Sequence, residues 1–71
     1  MSTEIQVNDR VKVHLGEKFG DKAGWYEGVV VRMDPYSEHR SFYWVQFDAD
    51  AQARLGMKQI SVFNINNIQK I

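Results

Sequence analysis

Short segments with the pattern of β-strands recur along this chain of 71 residues, and they constrain its fold more than any other feature. Between Arg10 and Leu15, three apolar side chains alternate with three basic ones, which is the period-2 pattern of a half-buried strand. Four further segments are rich in β-branched and aromatic residues or alternate in the same way: 25–33, 41–48, 57–63 and 68–71. Only 48–56 permits a helix, and a loop is equally compatible with it. We therefore predict one all-β domain that spans residues 1–71.

Turn-forming residues separate these segments. The stretch 16–24 holds three of the five glycines and predicts a long irregular loop. Asp34 and Pro35 are predicted to end the second strand, because proline cannot donate a hydrogen bond to a neighbouring strand. A loop then continues to Arg40. The asparagine-rich segment 64–67 predicts a single 3₁₀ turn before the closing strand.

The apolar residues of the strands predict which side chains form the core. Gly28 interrupts the second strand, and we place a bend there because a glycine within a strand often marks one. Beyond that bend, Val30 and Arg32 are expected to point outward. The predicted core residues are Val11, Val13, Val29, Val31, Val45, Phe47, Ile60 and Val62.

Composition narrows the class of protein. A hydrophobic content of 44% is too high for a disordered chain, yet a chain of this length buries only about 60% of its unfolded surface. The absence of cysteine excludes disulfides and the commonest zinc sites, which leaves a well-packed core and self-association as sources of stability. No apolar run approaches about 18 residues and no signal sequence opens the chain, so we expect a soluble, cytoplasmic protein that does not contact a membrane.

The charge balance is neutral, with nine basic and nine acidic residues. Proteins that bind nucleic acids generally carry a positive excess, because contacts to phosphates supply most of their affinity. Neutrality therefore counts against general nucleic-acid binding, although a local basic patch on a neutral protein remains compatible with it.

The order of these parts resembles the SH3-like barrel, and the likeness covers nearly the whole chain. The motifs that carry it are Asn8-Asp9-Arg10-Val11, then Trp25, Gly28 and Val30, then Tyr43, Val45, Phe47 and Asp48, and finally 60–71. The resemblance implies a five-stranded barrel with a long first loop and a 3₁₀ turn before the last strand. It implies no particular function, because this fold serves many.

Within that architecture, the segment 60–71 is similar to the end of the type II (plasmid-type) dihydrofolate reductases, which are homotetramers of SH3-like barrels around a central pore. The position that matches the substrate-contacting glutamine of that family is Ser61, and the position that matches its tyrosine is Phe63. Serine lacks the paired donor and acceptor of a carboxamide, and phenylalanine has no hydroxyl. The resemblance therefore implies the fold and an assembly, whereas these two positions predict that the chain is not a reductase.

No arrangement of residues indicates another catalytic or metal site. The two histidines, His14 and His39, lie in different segments, and no serine lies in a nucleophile-elbow motif. Asp48 and Asp50 begin a calcium-loop-like stretch, but Gln59 stands where that loop requires a bidentate glutamate. We predict no catalytic residue, no metal and no cofactor.

The aromatic residues carry the strongest functional signal. Alternation in the third strand assigns Tyr43 and Phe47 to the core, and it places Phe42 and Trp44 on the opposite face beside Val30. A strand that is apolar on both faces is buried on both. The outer face of this strand would then be covered by the chain's own loop, by a second copy of the chain or by a ligand. Our leading hypothesis is a non-catalytic binding module that self-associates through Val30, Phe42 and Trp44.

A partner site is predicted at the rim formed by the first loop and the loop after Pro35. The residues assigned to this rim are Trp25, Tyr26, Tyr36, Arg32 and Arg40. They would contact a protein or a small molecule. One alternative is a nucleic-acid or peptide reader that uses the aromatic rings for stacking. The other is an oligomer that binds a small ligand in a shared central pore.

Overall fold

Five strands form one antiparallel sheet, which confirms the all-β prediction. The computed structural model of the chain describes residues 5–37 and 40–71, without the side chains of residues 36, 37 and 40. The strands are β1 (Arg10–Leu15), β2 (Gly24–Ser37), β3 (Arg40–Phe47), β4 (Gln59–Val62) and β5 (Ile68–Lys70). Their order in the sheet is β4-β3-β2-β1-β5. Within the described residues β4 and β5 do not pair with each other, so the sheet is open between these two strands.

The long strand β2 holds the sheet together because it has two partners in succession. Its first half, from Gly24 to Val29, pairs with β1, and from Gly28 onward it pairs with β3. Asn8, with a φ of 78°, lies in the turn that leads into β1. The backbone N–H of Val30 donates to the carbonyl oxygen of Asp9 at 3.0 Å and ties this turn to β2.

The core lies on one face of the sheet and is covered by a short helix, α1 (Ala49–Leu55). Five of the predicted core residues are buried, namely Val11, Val13, Val45, Phe47 and Val62. Ile60 is only half-buried and packs at the margin. The structure adds six more buried residues: Ile5, Leu15, Val30, Ala51, Leu55 and Ile68.

The prediction of which valines in β2 point into the core is wrong. Val30 is fully buried, whereas Val29 is half-buried and Val31 is 40% exposed. The reason is a bulge after Val30: Val30 pairs with Val45, but Arg32 pairs with the next residue of β3, Trp44. The extra residue reverses the alternation beyond it, so that Met33 contacts the core.

The second strand also continues further than predicted. It runs through Pro35 to Ser37, and Pro35 pairs with Ser41 of β3. At this end β2 has β3 as its single neighbour within the described residues, and such an edge tolerates a proline. The predicted loop from Asp34 to Arg40 is therefore replaced by the ends of two paired strands, and residues 38 and 39 between them lie outside the described residues.

The connections are more ordered than the sequence indicates. The predicted irregular loop contains a 3₁₀ segment, Glu17–Lys22, which is broken at Gly20 by a φ of 59°. The segment 48–56 forms the helix α1, and Gly56 ends it in the left-handed conformation with its N–H donating to the carbonyl oxygen of Gln52. The predicted 3₁₀ turn before β5 is confirmed as Ile65–Asn67.

Candidate functional site

The predicted self-association face exists only in part. Val30 cannot belong to it, because its side chain points into the core. Phe42 and Trp44 do project from the opposite face of β3, where they pair with Asp34 and Arg32 of β2. Both rings are half-buried.

Trp44 is partly covered by its neighbours in β2. Its indole N–H donates to Oδ2 of Asp34 at 3.2 Å, and Oδ1 of the same carboxylate accepts from Nε of Arg32 at 2.9 Å. The polar edge of the indole is therefore already hydrogen-bonded. What remains for a partner is the apolar surface of the ring.

Phe63 is the member of this face that the sequence interpretation missed. It follows β4, is 42% exposed, and its ring centroid lies 5.7 Å from that of Phe42. The inward assignment of Ile60 and Val62 already implied that Phe63 points outward, by the same alternation. We call Phe42, Trp44 and Phe63 the outer aromatic patch.

Of the predicted rim residues whose side chains are described, Trp25 and Tyr26 border one pocket and Arg32 does not line it. Trp25 and Tyr26 are consecutive in β2 and point to opposite faces. Trp25 is 44% exposed, with Nζ of Lys12 at 5.1 Å from its ring centroid, whereas Tyr26 packs edge-on against Phe47 at 6.2 Å. The Tyr26 hydroxyl donates to the carbonyl oxygen of Lys22. The alternative of a nucleic-acid or peptide reader stays a prediction.

Of the three remaining rim residues, Arg32 alone has a side chain that the structure describes. Arg32 is bonded to Asp34 on the face of the outer aromatic patch. The side chains of Tyr36 and Arg40 lie outside the described residues, although the backbone of each is part of a strand. The side chains that the structure describes therefore do not bring Arg32 together with Trp25 and Tyr26.

A groove lies where the sheet fails to close. We call it the seam groove, and it is lined by residues 13–16, 18–19, 42, 60–64 and 67. One wall is the end of β1, beyond the point where β5 stops pairing at Val13. The other wall is β4, whose second edge has no partner strand within the described residues. The volume of the groove is about 330 Å³.

The seam groove is apolar at its base and carries one charged lining residue. Leu15 and Val62 are buried beneath it, and Phe19, Phe42 and Phe63 add aromatic surface. The charged residue is Lys18, and none of the lining residues is acidic. The side chain of Asn64 accepts the N–H of Asn66 at 2.9 Å and is occupied by capping the second 3₁₀ helix.

A cluster of three charged side chains, Arg10, Glu27 and Asp48, lies outside the seam groove. Nη2 of Arg10 lies 2.8 Å from Oδ2 of Asp48 and 3.4 Å from Oε1 of Glu27. The hydrogen bonds from Arg10 hold the pKa of Asp48 below its usual range. The cluster links β1 and β2 to Asp48, which directly precedes the α1 helix, at the surface of the protein.

We expect the stability of the protein to fall in acid because of Asp48. Its folded pKa lies below the unfolded value of about 3.9, so the pair with Arg10 stabilises the fold above that pH and is lost as the pH falls through the folded pKa. Urea titrations from about pH 6 to pH 2 should show this loss, and Asp48→Asn should reduce it. Asp50→Asn, which removes a carboxylate outside the cluster, is the control. Equal pH profiles for Asp48→Asn and the wild type would contradict the assignment.

Other classes of site have no support among the described residues. No group of three or more histidine, aspartate or glutamate side chains in that part of the chain is placed to hold a metal ion. No helix there is long and apolar enough to cross a bilayer. Comparison with known proteins gives no match, whether with family models, with curated proteins or with solved structures.

Proposed function

We propose that this chain is a non-catalytic interaction module of the SH3-like type and that it self-associates through the outer aromatic patch. The observation that supports this proposal is the clustering of Phe42, Trp44 and Phe63 on the face of the sheet opposite the core. From the sequence we expected Phe42 and Trp44 on this face together with Val30. In the structure Phe63 belongs to the face and Val30 does not.

The exposed area sets the strength of the expected contact. At their observed exposures the three rings leave roughly 200 Å² of apolar surface in contact with water. Burying this area contributes about 5 kcal/mol per subunit before the costs of association. Stable complexes bury about 800 Å² per partner, so the patch supplies only the centre of an interface. We therefore expect a weak, concentration-dependent, two-fold symmetric dimer.

Trp44→Glu should abolish this dimer and leave the domain folded. A carboxylate at the centre of a symmetric contact faces its own copy, and both charges lose solvent. The fold tolerates the change because Arg32 pairs with this position and can bind the new carboxylate. Sedimentation over tens to hundreds of micromolar should show a reversible dimer for the wild type and a monomer for the variant.

Gln69→Glu is the matched control, since it adds the same charge to the exposed face of β5, outside the patch. It should sediment like the wild type. A wild type that stays monomeric over the whole concentration range would overturn the proposal. A dimer that Trp44→Glu leaves intact would show that the contact lies elsewhere.

A further inference from the structure

The walls of the seam groove are strand edges. Residues 60–64 line one wall consecutively, and residues 13–16 line the other. Successive side chains of a strand point to opposite faces, so a single groove touches all of them only where it faces the edge of the strand. The groove is therefore bordered by backbone as well as by side chains.

The backbone hydrogen-bonding pattern of β4 leaves N–H and carbonyl groups of alternate residues without a bond to β3. The N–H of Phe47 donates to the carbonyl oxygen of Lys58 at 2.9 Å, so the backbone groups of Lys58 point toward β3. In an antiparallel ladder the direction alternates, so those of Ile60 and Val62 also point toward β3. The N–H and carbonyl groups of Gln59 and Ser61 consequently point away from β3, and Ser61 is one of the residues that line the groove.

The edge of β4 is short, but it lacks the side-chain features that normally prevent strand addition. Its residues, Gln59–Val62, include no charged side chain and no proline, and its pairing with β3 is regular. Natural edge strands without a partner usually carry lysine, proline or a bulge. An edge without such protection is suited to accept an extended chain.

We propose that the seam groove binds an extended, acidic peptide segment that adds to the edge of β4 as a further strand. The acidic character follows from Lys18, which has no acidic counterpart among the lining residues. Apolar residues at alternate positions would fill the space above Leu15 and Val62. The five lining residues from 60 to 64 correspond to a bound strand of roughly 17 Å.

This site goes beyond self-association and can be separated from it. Phe42 and Phe63 border both the seam groove and the outer aromatic patch, but Trp44 belongs to the patch alone. Peptide binding is therefore measured with the wild type and with Trp44→Glu. Binding that persists in Trp44→Glu is expected, whether or not the wild type dimerises.

The probe is a capped heptapeptide in which valine alternates with glutamate, together with a twin in which glutamine replaces every glutamate. In NMR titrations the acidic peptide should shift the amide signals of residues 59–63 and 13–15. The neutral twin should bind about fivefold more weakly, and added salt should reduce this difference because it screens the charge of Lys18. Lys18→Glu should weaken the acidic peptide and favour a twin with lysine. Twins that bind equally would overturn the charge assignment.

The strand geometry is tested by removing single N–H groups. Ser61→Pro deletes an N–H that faces the groove and retains the ladder with β3, so the acidic peptide should bind about fivefold more weakly, whereas Ser61→Ala should bind as the wild type does. N-methylation along the peptide should weaken binding at alternate residues only. This second series decides the question if Ser61→Pro does not fold. Uniform tolerance of N-methylation, or no binding at millimolar peptide, would overturn the proposal.

Discussion

Phe47→Ala is expected to lower the free energy of unfolding by about 3–5 kcal/mol. The side chain is 2% exposed and lies among the largest fully enclosed residues of the core, and its ring meets the edge of the Tyr26 ring at 6.2 Å. Alanine removes most of this volume, and the neighbouring strands cannot close the space without losing their pairing. For a domain of this size the loss corresponds to a melting temperature lower by about 12 °C or more.

Phe63→Ala is the control for this prediction, because it deletes the same ring from an exposed position. It should lower the free energy of unfolding by less than about 1 kcal/mol. Urea unfolding followed by tryptophan fluorescence measures both variants. Similar losses for the two phenylalanines would show that Phe47 is not a core residue.

The sequence predicted β1 well because this strand has two chemically different faces. In β1, the basic residues on one face leave no ambiguity about Val11 and Val13. In β2, three consecutive valines, 29–31, are compatible with either phase. The bulge after Val30 decides between them, and it depends on pairing with β3 rather than on the local sequence. The error at Val30 then carried over to the predicted interface.

The seam groove was beyond the reach of sequence patterns for a related reason. It exists because β5 pairs with β1 only over residues 11–13, so that the last residues of β1 have β2 on one edge and no described strand on the other. Strand length at a sheet edge depends on tertiary packing, which periodicity does not report. The rim stays a prediction, and adjacency in β2 turns two of its residues, Trp25 and Tyr26, to opposite faces of the strand.

Gly28→Ala is expected to destabilise the sheet more than any other addition of a single methyl group. The glycine has an ordinary extended φ, so its role is to allow close approach. A Cβ at this position would overlap the backbone carbonyl oxygen of Gln46, and it would lie 2.9 Å from Cγ1 of Val45. Neither atom can move freely, because the first belongs to β3 itself and the second to a fully buried side chain. We expect a loss of about 1–3 kcal/mol, despite the better strand propensity of alanine.

Gly16→Ala tests whether the effect at Gly28 comes from contact and not from the loss of a glycine. A Cβ at Gly16 meets no atom within 4 Å, and its φ of −84° suits any residue. The variant should therefore be as stable as the wild type or more stable by up to about 1 kcal/mol, since alanine restricts the unfolded chain. Thermal unfolding of the two variants beside the wild type makes the comparison. If Gly28→Ala were as stable as Gly16→Ala, β2 and β3 would have to lie further apart at this point than the structure places them.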